Sequence, residues 1–592
     1  MLKRINVGAE VFNELVESNS FYIDKTIFIK NIFEDNTSKV ILITRPRRFG
    51  KTLTMSTFHD FLALDPENPG DTSRQEILFK ETEIFTNEKD FCSRYMGKFP
   101  VVFITLKEAF GNDFEGAYDQ LGCIVFRMYN AFSYLAESPK LNPAEKSIFR
   151  RIADDDEYIR NVANKNKIKD SLSNLLMFLN KHHGIKPILL IDEYDVPIAK
   201  AVRNNYYEEM IDIISPFLSS ALKTNPHLGR AVLTGCLRAA KESIFTGLNN
   251  LLVCSLLDTG NNAISAGIGF TKEETETALA YYGLEAYQEE VSRNYDGYHF
   301  GTKHMYCPWD IMSFCYGNAQ KLAEENAEIT ADNYWTNTNG NDVIEEFMGY
   351  IDPNDVDTMQ SLLDGNAIIT EVRPALCYGD LPKHDIRDFW TLLLNTGYLT
   401  FDPQYRSKTK NEYRLYIPNE EIRDCFKTKI MEFFETNPTI LSQANLMIKA
   451  LTEGDAEAVE DNLNKLLSRY VSIRDFAANA PKENYYHGFM NGLLVTGASL
   501  IEEQKSNFES DNWYIDLIIK PKINKRLAII LELKQTPDEN KDKFLIAQDA
   551  VEQIGSRKYA REYIERADIR EVLSYGICFC KKECTVVGKR LK

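Results

Sequence analysis

The sequence predicts an α/β protein with a doubly wound parallel sheet in its N-terminal part, a mainly helical middle region, and a smaller α/β domain at the C-terminus. Three observations carry this expectation. Four short apolar runs, SKVILITR (38–45), FPVVFITL (99–106), KPILLIDEYD (186–195) and GRAVLTG (229–235), are separated by helical patterns such as IKDSLSNLLMFLNKHH. Strands alternating with helices imply crossover connections and parallel pairing. From about residue 270 helical patterns dominate, opening with Thr271 and Glu274 at capping-box spacing. Near residue 482 the alternation returns: a helix (YYHGFMNGLLVTG), two strands (WYIDLIIK and LAIILELK), a second helix (FLIAQDAVEQIGSRKYAREYI) and a closing strand (LSYGICFC). A chain of 592 residues exceeds what one core fills, and we expect domains at 1–270, 271–475 and 476–592.

Composition narrows the function classes. With 44% hydrophobic and 26% charged residues the chain is neither disordered nor fibrous. No stretch approaches the ~18 apolar residues of a membrane span, and MLKRINVGAEVFNELVE lacks the apolar core of a signal peptide. A cytoplasmic protein with no membrane partner is expected. The 11 cysteines are scattered through apolar runs such as LLVCSLL, as reduced core thiols are. Cys578, Cys580 and Cys584 lack a fourth ligand at zinc spacing and read as strand residues. A net charge of -18 argues against nucleic-acid binding over the whole surface. Residues 481–592, however, hold 19 Lys and Arg against 17 Asp and Glu, so a nucleic-acid site is expected in this last part.

The first strand runs into RPRRFGKT (45–52) and then a helix, the arrangement of a phosphate-binding P-loop. Backbone N–H groups at the helix start attract a phosphate, Gly50 lets the chain come close, Lys51 reaches the β- and γ-phosphates, and the Thr52 hydroxyl suits Mg2+. The consensus first glycine is replaced by Arg45, followed by Pro46, Arg47 and Arg48. In ILLIDEYD an apolar run delivers Asp192, expected to hold Mg2+, and Glu193, expected to orient or deprotonate the attacking water. The long interval from Lys51 to Asp192 implies an insertion. The next strand ends in Thr234, followed by Arg238, positions suited to a polar sensor and a γ-phosphate contact. Farther on, GYLTF and EYRLYIP flank SKTKN as a small hairpin.

The succession FYIDKTIFIKNI, LITRPRRFGKTL, LLIDEYDVPI, LTGCLRAAKESIFTGLNNL, YDGYHF, NTGYLT and YIPNEE resembles the bacterial AAA-ATPase-like family, whose members usually carry a C-terminal PD-(D/E)XK nuclease-like domain. The resemblance implies a P-loop NTPase domain that takes ATP and Mg2+ and a restriction-endonuclease-like C-terminal domain. It also makes the arginine-rich loop a family feature, with Arg45 and Arg48 among the cofactor-binding residues. A homo-oligomer, with an arginine supplied by a neighbour, stays open.

In LAIILELK, Glu532 and Lys534 are two residues apart and share one strand face, and the preceding strand supplies Asp516. Together they form the D-x(15)-E-x-K pattern of PD-(D/E)XK nucleases. Asp516 and Glu532 would hold Mg2+, and Lys534 would orient water or neutralise phosphate charge. The resemblance adds Glu509 as a further acid and Gln553 as a supporting residue. One departure stands out: SDNWYID replaces the family's SGxGRxD, with Trp513 and Tyr514 where glycine and arginine are usual. The expected function is an ATPase coupled to a Mg2+-dependent phosphodiesterase acting on DNA or RNA. The alternative is a nucleotide-dependent switch or scaffold whose nuclease-like domain binds a partner without cleaving.

Overall fold

The computed structural model describes residues 2–34, 38–237, 245, 248, 251–258, 262–323, 328–335, 356–363, 365–374, 376, 378–383, 385–407, 409, 411–426, 428, 438–470, 486, 489–490, 493–494, 500–510, 513–538, 541–556, 563–581 and 583–592. The chain divides into two compact units, Met1–Asn341 with Ile369–Arg423 and Asp342–Ile368 with Asp424–Lys592. The helical middle region is therefore not a unit of its own. Its earlier helices join a core with Ile23 and Phe270, and its later ones join the core of the C-terminal sheet.

The first unit is built on a five-stranded parallel sheet: β1 (Val40–Thr44), β2 (Val101–Thr105), β3 (Ile188–Asp192), β4 (Arg230–Gly235) and β5 (Leu251–Cys254), in the order β2-β3-β4-β1-β5. Every residue of β1 and β3 is buried, as expected of continuous apolar runs covered on both faces. Helix α1 (Lys51–Leu62) leaves β1 through Gly50, whose φ of 89° is a left-handed value that glycine adopts without strain. The interval between the P-loop and β3 is filled largely by helices, including α2 (Phe114–Asn130) and α3 (Lys165–His183), the latter packed on α4 (Tyr207–Leu222). Thr271 and Glu274 form the expected capping box. The predicted hairpin pairs Thr400–Phe401 with Glu412–Tyr416.

The C-terminal unit carries a second five-stranded sheet: β6 (Ile501–Ser510), β7 (Trp513–Pro521), β8 (Leu527–Gln535), β9 (Glu571–Cys580) and β10 (Glu583–Arg590) in that order. All neighbours are antiparallel except β8 and β9, which are parallel and joined through α5 (Lys543–Ser556). Side chains alternate between two cores. Leu517, Ile519, Ile529 and Leu531 share one with residues of the helices Pro438–Glu453 and Ala456–Tyr470. Ile518, Ala528 and Ile530 share the other with Ile554 of α5. The strands β6 and β10 were not anticipated from the sequence. The expected helix YYHGFMNGLLVTG falls mostly outside the described residues.

Candidate functional site

The first site lies at the carboxyl ends of β1, β3 and β4, where open parallel sheets place their ligands. Asp192 ends β3 fully buried, bracketed by two hydroxyls: Thr52 Oγ1 donates to Oδ2 at 2.7 Å and Thr234 Oγ1 to Oδ1 at 2.5 Å. Burial, and then the charge of Glu193, raise the Asp192 pKa above the usual carboxylate value. The next residue, Glu193, has φ 53°. That value is uncommon outside glycine and aims its carboxylate at Lys51, 3.3 Å from Nζ. Lys51 also donates to the Arg45 and Pro46 carbonyls at 3.2 and 3.1 Å. Burial disfavours its ammonium, but Cys236, Glu193, Asp192 and Asp195 outweigh burial and hold the pKa above that of an ordinary lysine.

The loop arginines divide in role. Arg45 is buried, its guanidinium donating to the carbonyls of Thr44 at 2.8 Å, Cys254 at 3.0 Å and Ile264 at 3.4 Å, and lying 4.7 Å from the Phe300 ring centroid. Burial lowers its pKa to about 10. This corrects the expectation of a cofactor contact, because the side chain is committed to clamping β1 to β5 and the segment beyond it. Arg48 stacks 4.4 Å over Trp309, with φ 69°. Its side chain thus leans on an aromatic of the helical region. Arg238 lies outside the described residues.

Motifs remote in sequence brace this loop from behind. Phe49 packs edge-on against Tyr298 of YDGYHF at 5.1 Å. Gly397 of NTGYLT, at φ 96°, comes so close to Pro46 that a Cβ would sit 2.9 Å from the proline ring. Asp195, to which no role was assigned from sequence, is a further organiser. Its Oδ2 accepts from the N–H groups of Cys236 and Leu237 at 3.0 and 2.9 Å and from the Tyr378 hydroxyl at 3.0 Å. It thereby fixes the turn that follows Thr234. The only sequence cue was an acid three residues after Asp192, and its meaning depends on a tyrosine 183 positions away.

The second site lies on the α5 side of the C-terminal sheet. Glu532 and Lys534 continue the alternation of Ala528 and Ile530, and Asp516 that of Ile518, so all three project from the same face. The pairing of Leu517 with Leu531 brings Asp516 opposite Glu532. Asp516 Oδ2 accepts from the Leu533 N–H at 2.7 Å, and Lys534 Nζ donates to Glu532 Oε1 at 3.0 Å. Glu532 is 4% exposed and Lys534 28%, so the acid is sealed in while the amine reaches solvent. Beside Glu532 in register stands Gly576. A Cβ there would meet the Ala547 carbonyl oxygen at 2.0 Å, so glycine is what lets α5 lie against the sheet here. Gln553 is on α5, half-buried, and the Glu509 side chain lies outside the described residues.

Both sites offer oxygen ligands of the kind Mg2+ takes. In the first these are the Thr52 hydroxyl and the Asp192 carboxylate, already in contact. In the second they are the carboxylates of Asp516 and Glu532, on neighbouring strands and the same face of the sheet. Cys578, Cys580 and Cys584 are buried free thiols, and no metal-holding cluster of three His, Cys, Asp or Glu occurs among the described residues. Nor is any described helix long and apolar enough to cross a membrane.

Comparison with known proteins agrees with this geometry. Residues 6–245 match the family described as "Predicted AAA-ATPase", and residues 481–589 match the PD-(D/E)XK nuclease superfamily. A protein of Azotobacter chroococcum mcd 1, described as "Uncharacterized protein in vnfD 5'region", is 22% identical over 596 residues, which is 99% of this chain and 98% of that protein. The chain thus joins an N-terminal part that matches the AAA-ATPase-like family model to a C-terminal part that matches the PD-(D/E)XK nuclease superfamily model.

Proposed function

We propose that the protein binds and hydrolyses ATP with Mg2+ in its first unit and cleaves nucleic-acid phosphodiester bonds with Mg2+ in its second. The observation that carries the first half is the bracketing of Asp192 by Thr52 and Thr234 beside the Lys51–Glu193 pair. Lys51 neutralises phosphate charge, and Gly50 opens the helix N-terminus to the phosphates. Glu193, held in its left-handed conformation, accepts a proton from the attacking water. Asp195 positions the turn after β4.

The second half rests on Asp516, Glu532 and Lys534 sharing one sheet face. When bound there, Mg2+ would lower the pKa of a water and offset phosphate charge. Lys534 orients that water or meets the phosphate oxygens, and the nearly dry setting of Glu532 keeps these interactions strong. Digestion of single- and double-stranded DNA and RNA, with and without Mg2+ and ATP, tests the proposal. Cleavage that needs Mg2+ and is lost in Asp516→Ala is expected; no cleavage of any of the four substrates would leave the ATP-dependent scaffold as the better reading.

A further inference from the structure

The C-terminal sheet has a second charged end. β7 turns into β8 through Lys522-Ile523-Asn524-Lys525-Arg526, all exposed, and Ile523 is 85% exposed, far more than an apolar side chain needs to be in a short turn. The turn is tied to the start of β9 by the Arg570 N–H, which donates to the Arg526 carbonyl at 2.8 Å. Leu527 pairs with Glu571 and Leu573 with Arg590, so the start of β9 and the end of β10 lie on the same rim. Lys522, Lys525, Arg526, Arg570, Lys589 and Arg590 therefore line one edge four strands wide, roughly 15 Å across its three strand spacings. Two of them are paired with acids, Lys525 with Glu502 at 2.9 Å and Arg590 with Glu571 at 2.5 Å. Arg526, Arg570 and Lys589 have no carboxylate within ion-pair distance among the described residues, in a chain whose net charge is -18.

We propose that this basic rim is a docking surface for the phosphate backbone of nucleic acid, separate from the acid site. The inference rests on the nuclease reading only for the identity of the polyanion. Asp516 stands five residues before the end of β7 and Glu532 five after the start of β8. At about 3.3 Å per residue the rim lies ~17 Å from the carboxylates, or about five nucleotides at 3.4 Å each. Arg526, Arg570 and Lys589 hold the strand by charge, and Ile523 offers the apolar tip that such proteins press against bases. The rim thus grips the substrate at a distance from the bond that is cut. It supplies affinity without sequence information, because phosphate contacts carry none.

The test uses the full chain with Asp516→Ala, in EDTA, so that binding is read without cleavage. Fluorescence anisotropy follows 20-base-pair DNA and RNA duplexes against salt. Replacing Arg526, Arg570 and Lys589 together by Ala should weaken binding at least tenfold and flatten the salt slope by about 0.9 per cation removed. Lysine at positions 526 and 570 should keep the slope. Whether DNA or RNA binds more tightly identifies the source of the phosphates. Unchanged affinity and slope on both duplexes would overturn the rim. So would an unaltered duplex affinity accompanied by lost binding to phosphatidylserine vesicles, which would assign the surface to membrane lipid. Cleavage by the otherwise native chain separates the two readings. Mg2+-dependent cutting with an inert rim keeps the nuclease and removes the rim, whereas rim-dependent binding without cutting does the reverse.

Discussion

Each unit sets a lysine against a glutamate, Lys51 with Glu193 at 3.3 Å and Lys534 with Glu532 at 3.0 Å, yet the two pairs are assembled differently. The first draws on segments scattered over more than 300 positions, from Arg45 to Tyr378 and Gly397, and includes left-handed backbone at Arg48, Gly50 and Glu193. The second needs two adjacent strands in register and ordinary extended backbone. Burial differs as well: the Lys51 side chain is 3% exposed against 28% for Lys534. A site made of loops stores strain and depends on distant packing, whereas a site made of paired strands depends on register.

The sharpest test of this contrast is to disable one site and read both. Asp516→Ala or Glu532→Ala should reduce Mg2+-dependent cleavage by more than about 1,000-fold while leaving ATP turnover within about twofold. In EDTA the Glu532→Ala protein should lose only about 1 kcal/mol by thermal melt, since Lys534 can turn to solvent. A loss of roughly 3–5 kcal/mol would instead mark a structural buried ion pair. On the other side, Lys51→Ala should weaken ATP binding about 100-fold by calorimetry. Glu193→Gln should bind ATP within a few-fold of normal but turn it over about 100-fold more slowly. Equal losses of binding and turnover would make Glu193 a structural residue.

The dependence on packing can be probed through glycines. Gly576→Val would drive a side chain into the Ala547 carbonyl and push α5 from β9, at about 3 kcal/mol, with cleavage falling and ATP binding kept. Gly397→Ala costs less, about 1–2 kcal/mol for its φ of 96°, but should weaken ATP binding through Pro46.

The smallest effects come from pH and have opposite signs in the two units. Burial raises Asp310 from 3.8 to about 7. Its contribution to stability is complete below about pH 4 and fades as pH rises through about 7, so Asp310→Asn should gain on the native protein over that interval. Glu503 is lowered from 4.5 to about 2 by hydrogen bonds from Lys520 and Lys505. Its contribution holds above about pH 4.5 and fades as pH falls toward 2, so the cost of Glu503→Gln should shrink in acid. Melting curves of both variants from pH 3 to 8 would reveal the crossing trends, and parallel trends would refute the assignment.

What could be read from the sequence follows the same division. The strands β1, β2, β3, β4, β7, β8 and β9 announced themselves as apolar runs, and a two-residue spacing was enough to put Glu532 and Lys534 on one face. Strand β10 left a fainter trace, its buried Cys584 and Val586 alternating with more exposed neighbours. The direction of the Arg45 side chain could not be read locally, because it is set by carbonyls 209 and 219 positions away. Asp195 was opaque for the same reason. The division of the helical middle was hidden too, since periodicity shows that a helix has an apolar face but not which core receives it.

The Arg45 clamp also bears on how such a loop can change over evolutionary time. Reverting this position to the glycine of other P-loops would strand the Thr44, Cys254 and Ile264 carbonyls without their donor and leave Phe300 beside a void. The step is deleterious alone and becomes tolerable only after new partners arise near β5 and the Tyr298–Phe300 strand. A loop clamped in this way is therefore expected to resist a single change of Arg45 to glycine.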